Sequence, residues 1–425
     1  MVHCTVDKME LKSCKKQYMK DTHRAIPPEE TLEIVKDKLD ICGITRVADI
    51  TDLDRLGIPV FSAVRPDASQ GSVSVYNGKG VSKTEAEVSA IMEGIERYSS
   101  EVNEEMILDS SESELNGKVN HLSPYELALP AQEMYNEYIK IGWVKGYDLI
   151  RKEEIYVPAN SVFHPYPLKR DYPLFRTNTN GLASGNTLEE AIFHGLCEVI
   201  ERDAWSLVEM KRTFPKDLII EINDPLLEDF LNRFKENEIE IVFKDITSDD
   251  IKVPTILAAI DDLRLKDPTL MVMGMGTHID PKVALYRAIT EAAQSRLTQI
   301  HGAREDTQKA EMKRRIGYDR IRKLNWYYLN KFGVETKTSD FTAKASDDIL
   351  EDINTLLDIL TKNGINRAIV VDLTRSELGI PVVRVLIPQL EQYGIDNSRI
   401  GSRGRMREVD KNYYLFGPKP SSRRG

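Results

Sequence analysis

The chain has 425 residues, 41% hydrophobic, 30% charged and 7% aromatic, a globular composition with apolar surface for a sizeable core. Lys plus Arg total 58 against 68 Asp plus Glu, a formal charge of −10, which argues against a general polyanion binder and predicts no nucleic-acid partner. Four scattered cysteines (Cys4, Cys14, Cys42, Cys197) with no C-x-x-C pair argue against a disulfide scaffold or a Cys-built zinc site.

No apolar run approaches the ~20 residues that span a bilayer, and MVHCTVDKMELKSCKK lacks the apolar core of a signal peptide. The expected compartment is the reducing cytoplasm, with no membrane partner. Residues 1–27 are polar and patternless, either a flexible arm or an ordered lid. Pro28 to Leu39 reads as a helix, with proline at its start, acids in the first turn, a lysine near its end and Gly43 as its stop.

Leu56 to Pro66 reads LGIPVFSAVRP and Leu378 to Pro388 reads LGIPVVRVLIP. YVPANSVF from Tyr156 and KVPTILAAI from Lys252 share the same opening, and all four read as strands that begin at a proline. Three of these, at Pro59, Pro158 and Pro254, are followed downstream by one helical pattern: SKTEAEVSAIMEGIERYSS from Ser82, TLEEAIFHGLCEVIERDAW from Thr187 and DPKVALYRAITEAAQSRL from Asp280.

Ser82, Thr187 and Asp280 are good N-caps, and the first two form capping boxes with Glu85 and Glu190. Counting from each cap, the same register carries Ala86, Ala191 and Ala284, then Ala90, Gly195 and Ala288. It continues with Glu93, Glu198 and Glu291, then Glu96, Glu201 and Gln294. The bland explanation is common helix grammar, but shared caps do not fix a glutamate three turns later. Three copies in one register point to an internal repeat within a single large domain over residues 1–425, with 392–425 as a C-terminal tail. Elsewhere, Asn237–Phe243 and Val253–Ala259 read as a strand pair, Asp347–Leu360 as a helix and Arg367–Leu373 as a strand. The charged stretch 303–338, with Trp326, Tyr327 and Tyr328, reads as a solvated helix face or a substrate-handling surface.

Glu93 and Glu96 share a helix face, as do Glu198 and Glu201, and Arg97 and Arg202 follow each pair directly. Exposed Glu–Arg pairs are the plain alternative. Two such helices side by side would instead gather four carboxylates, which cannot all stay ionised in a buried place without cations. Hard oxygen ligands suit Mg2+, which bridges readily to phosphate.

The loop Asn178–Thr187 (NTNGLASGNT) leads into the second helix, and NGKGVS leads into the first; such loops at helix N-termini favour anionic or polar ligands. Lys83 and Thr84 after Gly78 and Gly80 fail the P-loop spacing, so a Walker A site is rejected. His194 reads as a packed helix residue and Cys197 as core.

KGVSKTEAEVSAIMEGIERYS, NGLASGNTLEEAIFHGLCEVIERDAW and RAITEAAQSRL, followed by GIPVVRVLIPQLE, resemble the YcaO family over roughly Arg24 to Glu391. The resemblance implies an ATP-dependent enzyme that acts on peptide backbone amides with Mg2+ and no P-loop. Glu93, Glu96, Glu198 and Glu201 match the Mg2+ ligands that hold the triphosphate, with Glu93, Glu198 and Arg296 as the catalytic set. Asn186 and Glu190 match nucleoside contacts, and Arg202 and Arg296 match phosphate contacts. Thr31 matches a family hydroxyl and Arg24 a basic phosphate contact, with Lys20 as its competitor. A family serine falls on Ala183, with Ser184 beside it as the adenine-side candidate.

Azoline-forming members carry a Pro-rich tail, whereas this sequence ends GPKPSSRRG with only Pro418-Lys419-Pro420, and no peptide-clamping region precedes the matched part. These features favour the stand-alone thioamide-forming branch, similar to archaeal proteins that install thioglycine in the methyl-coenzyme M reductase alpha subunit. The implied partners are that peptide, sulfide or a TfuA-like sulfur-delivering protein, and a second copy of the chain in a homodimer. The expected fold is α/β: mixed, largely antiparallel sheets with three repeated strand–loop–helix units around one nucleotide cleft. Azoline formation on Cys, Ser or Thr peptides and a non-catalytic ATP-binding partner module are the alternative functions.

Overall fold

The structure, a computed structural model, describes residues 9–211, 214–304, 309–342 and 345–405. From the N-terminus come β1 (Tyr18–Met19), β2 (His23–Arg24), α1 (Pro28–Lys36), β3 (Arg46–Asp49), β4 (Val60–Val64), β5 (Val75–Lys79) and α2 (Lys83–Ser99). The next stretch holds β6 (Ile107–Ser111), α3 (Glu112–Leu115), β7 (Lys140–Asp148), β8 (Glu153–Pro158), α4 (Ala159–Val162), β9 (Leu182–Ser184) and α5 (Leu188–Lys211). Then follow β10 (Lys216–Ile219), α6 (Pro225–Glu236), β11 (Ile239–Asp245), β12 (Thr255–Asp262), β13 (Val272–Thr277) and α7 (Pro281–His301). The last part holds α8 (Lys309–Ile316), α9 (Tyr318–Leu324), α10 (Trp326–Leu329), β14 (Glu335–Lys337), α11 (Ile349–Lys362), β15 (Ile369–Asp372), β16 (Val382–Leu386) and α12 (Ser402–Arg405).

These strands build a three-stranded sheet (β3-β4-β5), a five-stranded sheet (β13-β12-β11-β10-β14) and a six-stranded sheet (β6-β7-β15-β16-β9, with β8 beside β7). Every pairing in them is antiparallel except β10 with β14, so the sheets are mixed and largely antiparallel as expected.

The repeat is a physical unit. β5, β9 and β13 are each the edge strand of their sheet, and each leads into one of the three long helices α2, α5 and α7. Each edge strand pairs with a strand that opens directly after a proline: β4 after Pro59, β16 after Pro381 and β12 after Pro254. A strand's first position is where a missing N–H costs least.

The second unit corrects the sequence expectation. Pro158 closes β8 and starts α4 rather than opening a strand. The strand that completes the unit is β16, drawn from the second LGIPV segment far downstream. The small residues in the shared register let each helix lie on its own strands. A Cβ on Gly78 would stand 2.0 Å from the Ala90 nitrogen, and one on Gly274 would stand 2.1 Å from the Ala292 nitrogen. Glycine facing alanine therefore sets a backbone-to-backbone approach that any larger side chain would push apart.

Residues 9–27 are tied to the body. Lys12 N–H donates to Glu189, Ile349 N–H donates to the Cys14 carbonyl, and Lys16 pairs with Asp352. In the 303–338 stretch charged residues such as Glu311 and Arg315 are exposed, as its charge suggests, while Tyr327 and Tyr328 are buried and both donate to Glu209. The Pro418-Lys419-Pro420 segment lies outside the described residues. No helix among the described residues is long and apolar enough to cross a membrane.

Candidate active site

The ends of β5, β9 and β13 and one face each of α2, α5 and α7 surround a cavity of about 930 Å3. Glu93, Glu96, Glu198, Glu201, Glu291 and Gln294 all line it, so the recurrent register delivers all six side chains to one place. The helices make this possible: each is anchored at its start, Ser82 through a capping box with Glu85 and Asp280 through its carboxylate on the Lys282 N–H. A fixed cap and a constant pitch set where residues three turns later point.

Two sets of groups meet in the cavity and satisfy each other only in part. Removal from water pushes the Glu96 carboxyl up to about 8, with Glu198 and Glu93 adding to the rise. Burial raises Glu198 as well, and it raises Glu201 with help from Glu291. The cations are arginines. Arg97 reaches Glu93 at 3.1 Å through one nitrogen, while its Nε and Nη1 are buried without partners. Arg287 donates to His194 Nε2 at 3.0 Å and leaves its Nε unpaired. Arg202 lies 3.7 Å from Glu201 and over the ring of Trp205.

Burial alone would raise Glu291, but Lys79 at 2.5 Å and Arg202 hold it below the usual range. His194 is kept neutral by burial and by Arg287, so it accepts that hydrogen bond and is a poor proton acceptor. Cys197 is buried and its thiol is pushed up to about 12 by burial, which suits a core residue.

The other anticipated residues sit at the N-terminal end of α5. Glu190 accepts from the Ala25 N–H at 2.9 Å and from Asn186 at 3.2 Å, and Arg24 lies 3.7 Å from it. Arg24, Thr31, Ser184, Asn186, Glu190 and Arg202 all line the cavity. Of the two basic candidates, Arg24 lines the cavity, whereas Lys20 rests over the Tyr18 ring. Strand alternation separates the two β9 candidates: Ser184 Oγ donates to Glu96 at 3.3 Å, and Ala183 is packed in the core.

Arg296 is the correction. Its side chain is fully buried away from the cavity, with Nε 2.9 Å from Asp54 and Nη1 2.8 Å from Asp262. It lies two residues past Gln294, about 200° around the helix, and so ties α7 to Asp54 and β12. Arg287, one helical face away in sequence terms, is the α7 arginine that reaches the cavity. Lys79, Arg97, Arg287 and Glu291 were missing from the anticipated site. Glu291 was marked by the repeat register, and Lys79 only by its place in the NGKGVS loop.

The residues fit Mg2+ and ATP. Carboxylates lifted by burial want a cation, and partnerless guanidinium N–H groups want an anion. Among the described residues no three His, Cys, Asp or Glu side chains stand close enough to hold one ion between them. One or two carboxylates per ion, with phosphate oxygens and water completing the shell, is how Mg2+ is usually held.

The sequence over residues 77–391 matches the family described as YcaO cyclodehydratase, ATP- and Mg2+-binding. An uncharacterized protein of Methanothermobacter thermautotrophicus is 44% identical, covering 90% of this chain and 98% of its own. An uncharacterized protein in the tfuA 3′ region of Rhizobium leguminosarum bv. trifolii is 32% identical over 87% of this chain and 88% of its own. The solved structure of YcaO from Methanopyrus kandleri bound with AMPPCP and Mg2+ superposes with a TM-score of 0.76 at 30% identity, covering 92% of this chain and 98% of that one. A heterocyclase in complex with substrate and cofactor shares the fold, with a TM-score of 0.78 at 23% identity over 91% of this chain and 55% of its own.

Proposed function

This chain belongs to the YcaO family, whose members bind ATP and Mg2+, and from that premise we propose that it activates a peptide backbone amide with ATP and passes it to sulfide, forming a thioamide. The observation that carries the reading is the gathering of glutamates from matched registers of separate helices around one cavity, with partnerless nitrogens of Arg97 and Arg287 beside them. Such a site fits a polyphosphate, and among the described residues no cysteine lines it.

Glu93, Glu96, Glu198 and Glu201 would hold Mg2+, and Mg2+ when bound would offset charge on the triphosphate. Arg97, Arg202 and Arg287 would face the phosphoryl oxygens and spread charge as it shifts in the transfer. Arg24, Asn186, Glu190, Ser184 and Thr31 would hold the nucleoside end and so fix the direction of the γ-phosphate.

An amide oxygen is a poor leaving group. Addition of HS⁻ to the glycine carbonyl carbon gives an oxyanion; the γ-phosphoryl group of ATP passes to that oxygen and leaves ADP, and phosphate then departs as C=S forms and the S–H proton is lost to solvent. The cavity residues position the partners and stabilise charge, and none of them must bond covalently to the peptide.

Sulfide as the nucleophile is supported by the relative encoded beside tfuA and by the relative from a methanogen. The substrate we infer is the glycine of the methyl-coenzyme M reductase alpha subunit, with sulfide or a TfuA-like partner as donor. A second reading, azoline formation on Cys, Ser or Thr, is favoured by the cyclodehydratase description of the family. Incubation with ATP, Mg2+, sulfide and a glycine peptide of the reductase, read by mass, separates the two. Exchange of oxygen for sulfur is the expected product, and loss of one water would establish the azoline reading instead.

A further inference from the structure

The sheet that carries β13 has two unlike faces at the cavity. Gly274 and Gly276 turn toward α7, where a Cβ on either would stand 2.1 Å from helix backbone. Side chains alternate along a strand, so Met273 and Met275 turn to the opposite face, beside their β12 partners Ala259 and Leu257. Ala259, Met273 and Met275 line the same cavity as Glu291 and Gln294 of α7. The cavity therefore continues past the glutamates onto the far face of the sheet.

That continuation is walled by carbon. Ile321 of α9 and Tyr328 and Leu329 of α10 line it as well, and they share a buried cluster with Met271 and Met275. The Tyr328 hydroxyl donates to Glu209, one turn past Trp205 on α5, which ties this wall to that helix. Trp205 lines the cavity too: a Cβ on Gly394 would stand 2.7 Å from its ring, and the Arg202 guanidinium lies 5.9 Å from the ring centre. Leu324 of α9, 63% exposed, belongs to the same lining. Trp205 lies fifteen residues beyond Glu190 on the same helix, about 22 Å at the helical rise, so this end is remote from the Arg24–Glu190–Asn186 group. An apolar group held beside Trp205 would sit next to Arg202, at the phosphoryl end of the site.

We propose that this compartment, between the methionine face of β12–β13 and the helices α9 and α10, receives a large apolar side chain of the substrate, adjacent to the amide that reacts. This rests on the amide-activating reading above and adds to it the class of peptide. The nucleoside is held at the other end of α5, and walls of methionine, leucine and aromatic carbon give a sugar or base little to replace its hydrogen bonds to water. An apolar side chain gives up nothing polar there and gains by leaving water. Methionine is flexible and polarisable, so the compartment suits aliphatic and aromatic side chains rather than one fixed shape. Binding gained there, away from the reacting atoms, holds the amide in place against the γ-phosphate.

The test gives the full chain, with ATP, Mg2+ and sulfide, an equimolar mixture of glycine peptides that differ only in the residue on one side of the glycine, and then on the other: serine, alanine, leucine, phenylalanine or tryptophan. Product ratios read by mass report relative kcat/KM and do not depend on how much of a variant is folded. Leucine or phenylalanine is expected to outcompete serine by at least about tenfold on one side of the glycine. Met273→Ala, which deepens the compartment, is expected to raise the tryptophan-to-leucine ratio several-fold, and Leu324→Ser to lower the leucine-to-serine ratio several-fold. Equal conversion of every flank, or ratios that move in neither variant, would overturn the apolar compartment while leaving amide activation standing. No phosphate release and no product from any of the peptides would overturn the amide-activating reading, and this proposal with it.

Discussion

Lys79 on β5 reaches Glu291 on α7 with Nζ and Oε2 2.5 Å apart, joining the first repeat to the third across the mouth of the cavity. Both side chains are 19% exposed. Breaking a pair this sheltered leaves one charge poorly compensated, and the remaining exposure keeps the cost moderate. Lys79→Met is expected to lower stability by about 1–3 kcal/mol, with Lys79→Met/Glu291→Gln recovering part of it, as read by denaturant unfolding. Additive losses would mean that the two residues are not coupled.

Arg296 has the opposite assignment from the one its motif suggests. Arg296→Met would strand Asp54 in the interior and leave Asp262 with Arg55 as its remaining cationic partner, at a cost of about 3–5 kcal/mol in unfolding free energy. Arg202→Met should instead weaken ATP binding, measured by calorimetry, with the fold retained. Lost ATP binding with unchanged stability in Arg296→Met would return that arginine to the site.

Glu96 is held at a cost to the fold, since removal from water and two neighbouring carboxylates oppose its charge. Glu96→Gln should melt no lower than the parent protein in the absence of nucleotide. The same variant should lose at least about 100-fold in ATP-dependent turnover, because charge stabilisation at a transferring phosphoryl group is lost. A clear fall in melting temperature would mean that Glu96 serves the fold rather than the ligand.

His164 gives a pH dependence. Burial, with Arg97, Arg384 and Arg176 nearby, lowers it to about 4 from the usual 6.5. The folded state therefore resists a proton that the unfolded chain accepts. Its contribution to stability is present above pH 6.5 and is lost as the pH falls toward 4. His164→Gln should flatten the decline of melting temperature over that window, and an unchanged slope would remove His164 as its source.

The charged heart of the site was legible because caps and helical pitch are local. Ser82, Thr187 and Asp280 fix where Glu93, Glu198 and Glu291 point. Pairing across long separations was not. Nothing near Ala183 says that β9 will find β16 rather than the segment at Pro158, and nothing near Lys79 says that it will meet Glu291. Arg296 shows the remaining gap: a residue can sit inside a matching motif and still face the core, because two positions along a helix reverse its direction.

The central claim is that carboxylates from separate helices hold one polyphosphate through divalent ions. Crystals grown with Mn2+ and a non-hydrolysable ATP analogue test it by anomalous scattering. Peaks bonded both to Glu93 or Glu96 and to Glu198 or Glu201, with phosphate oxygens between them, are the predicted result. Nucleotide bound with these four glutamates free of metal, or no nucleotide in the cavity, would contradict it.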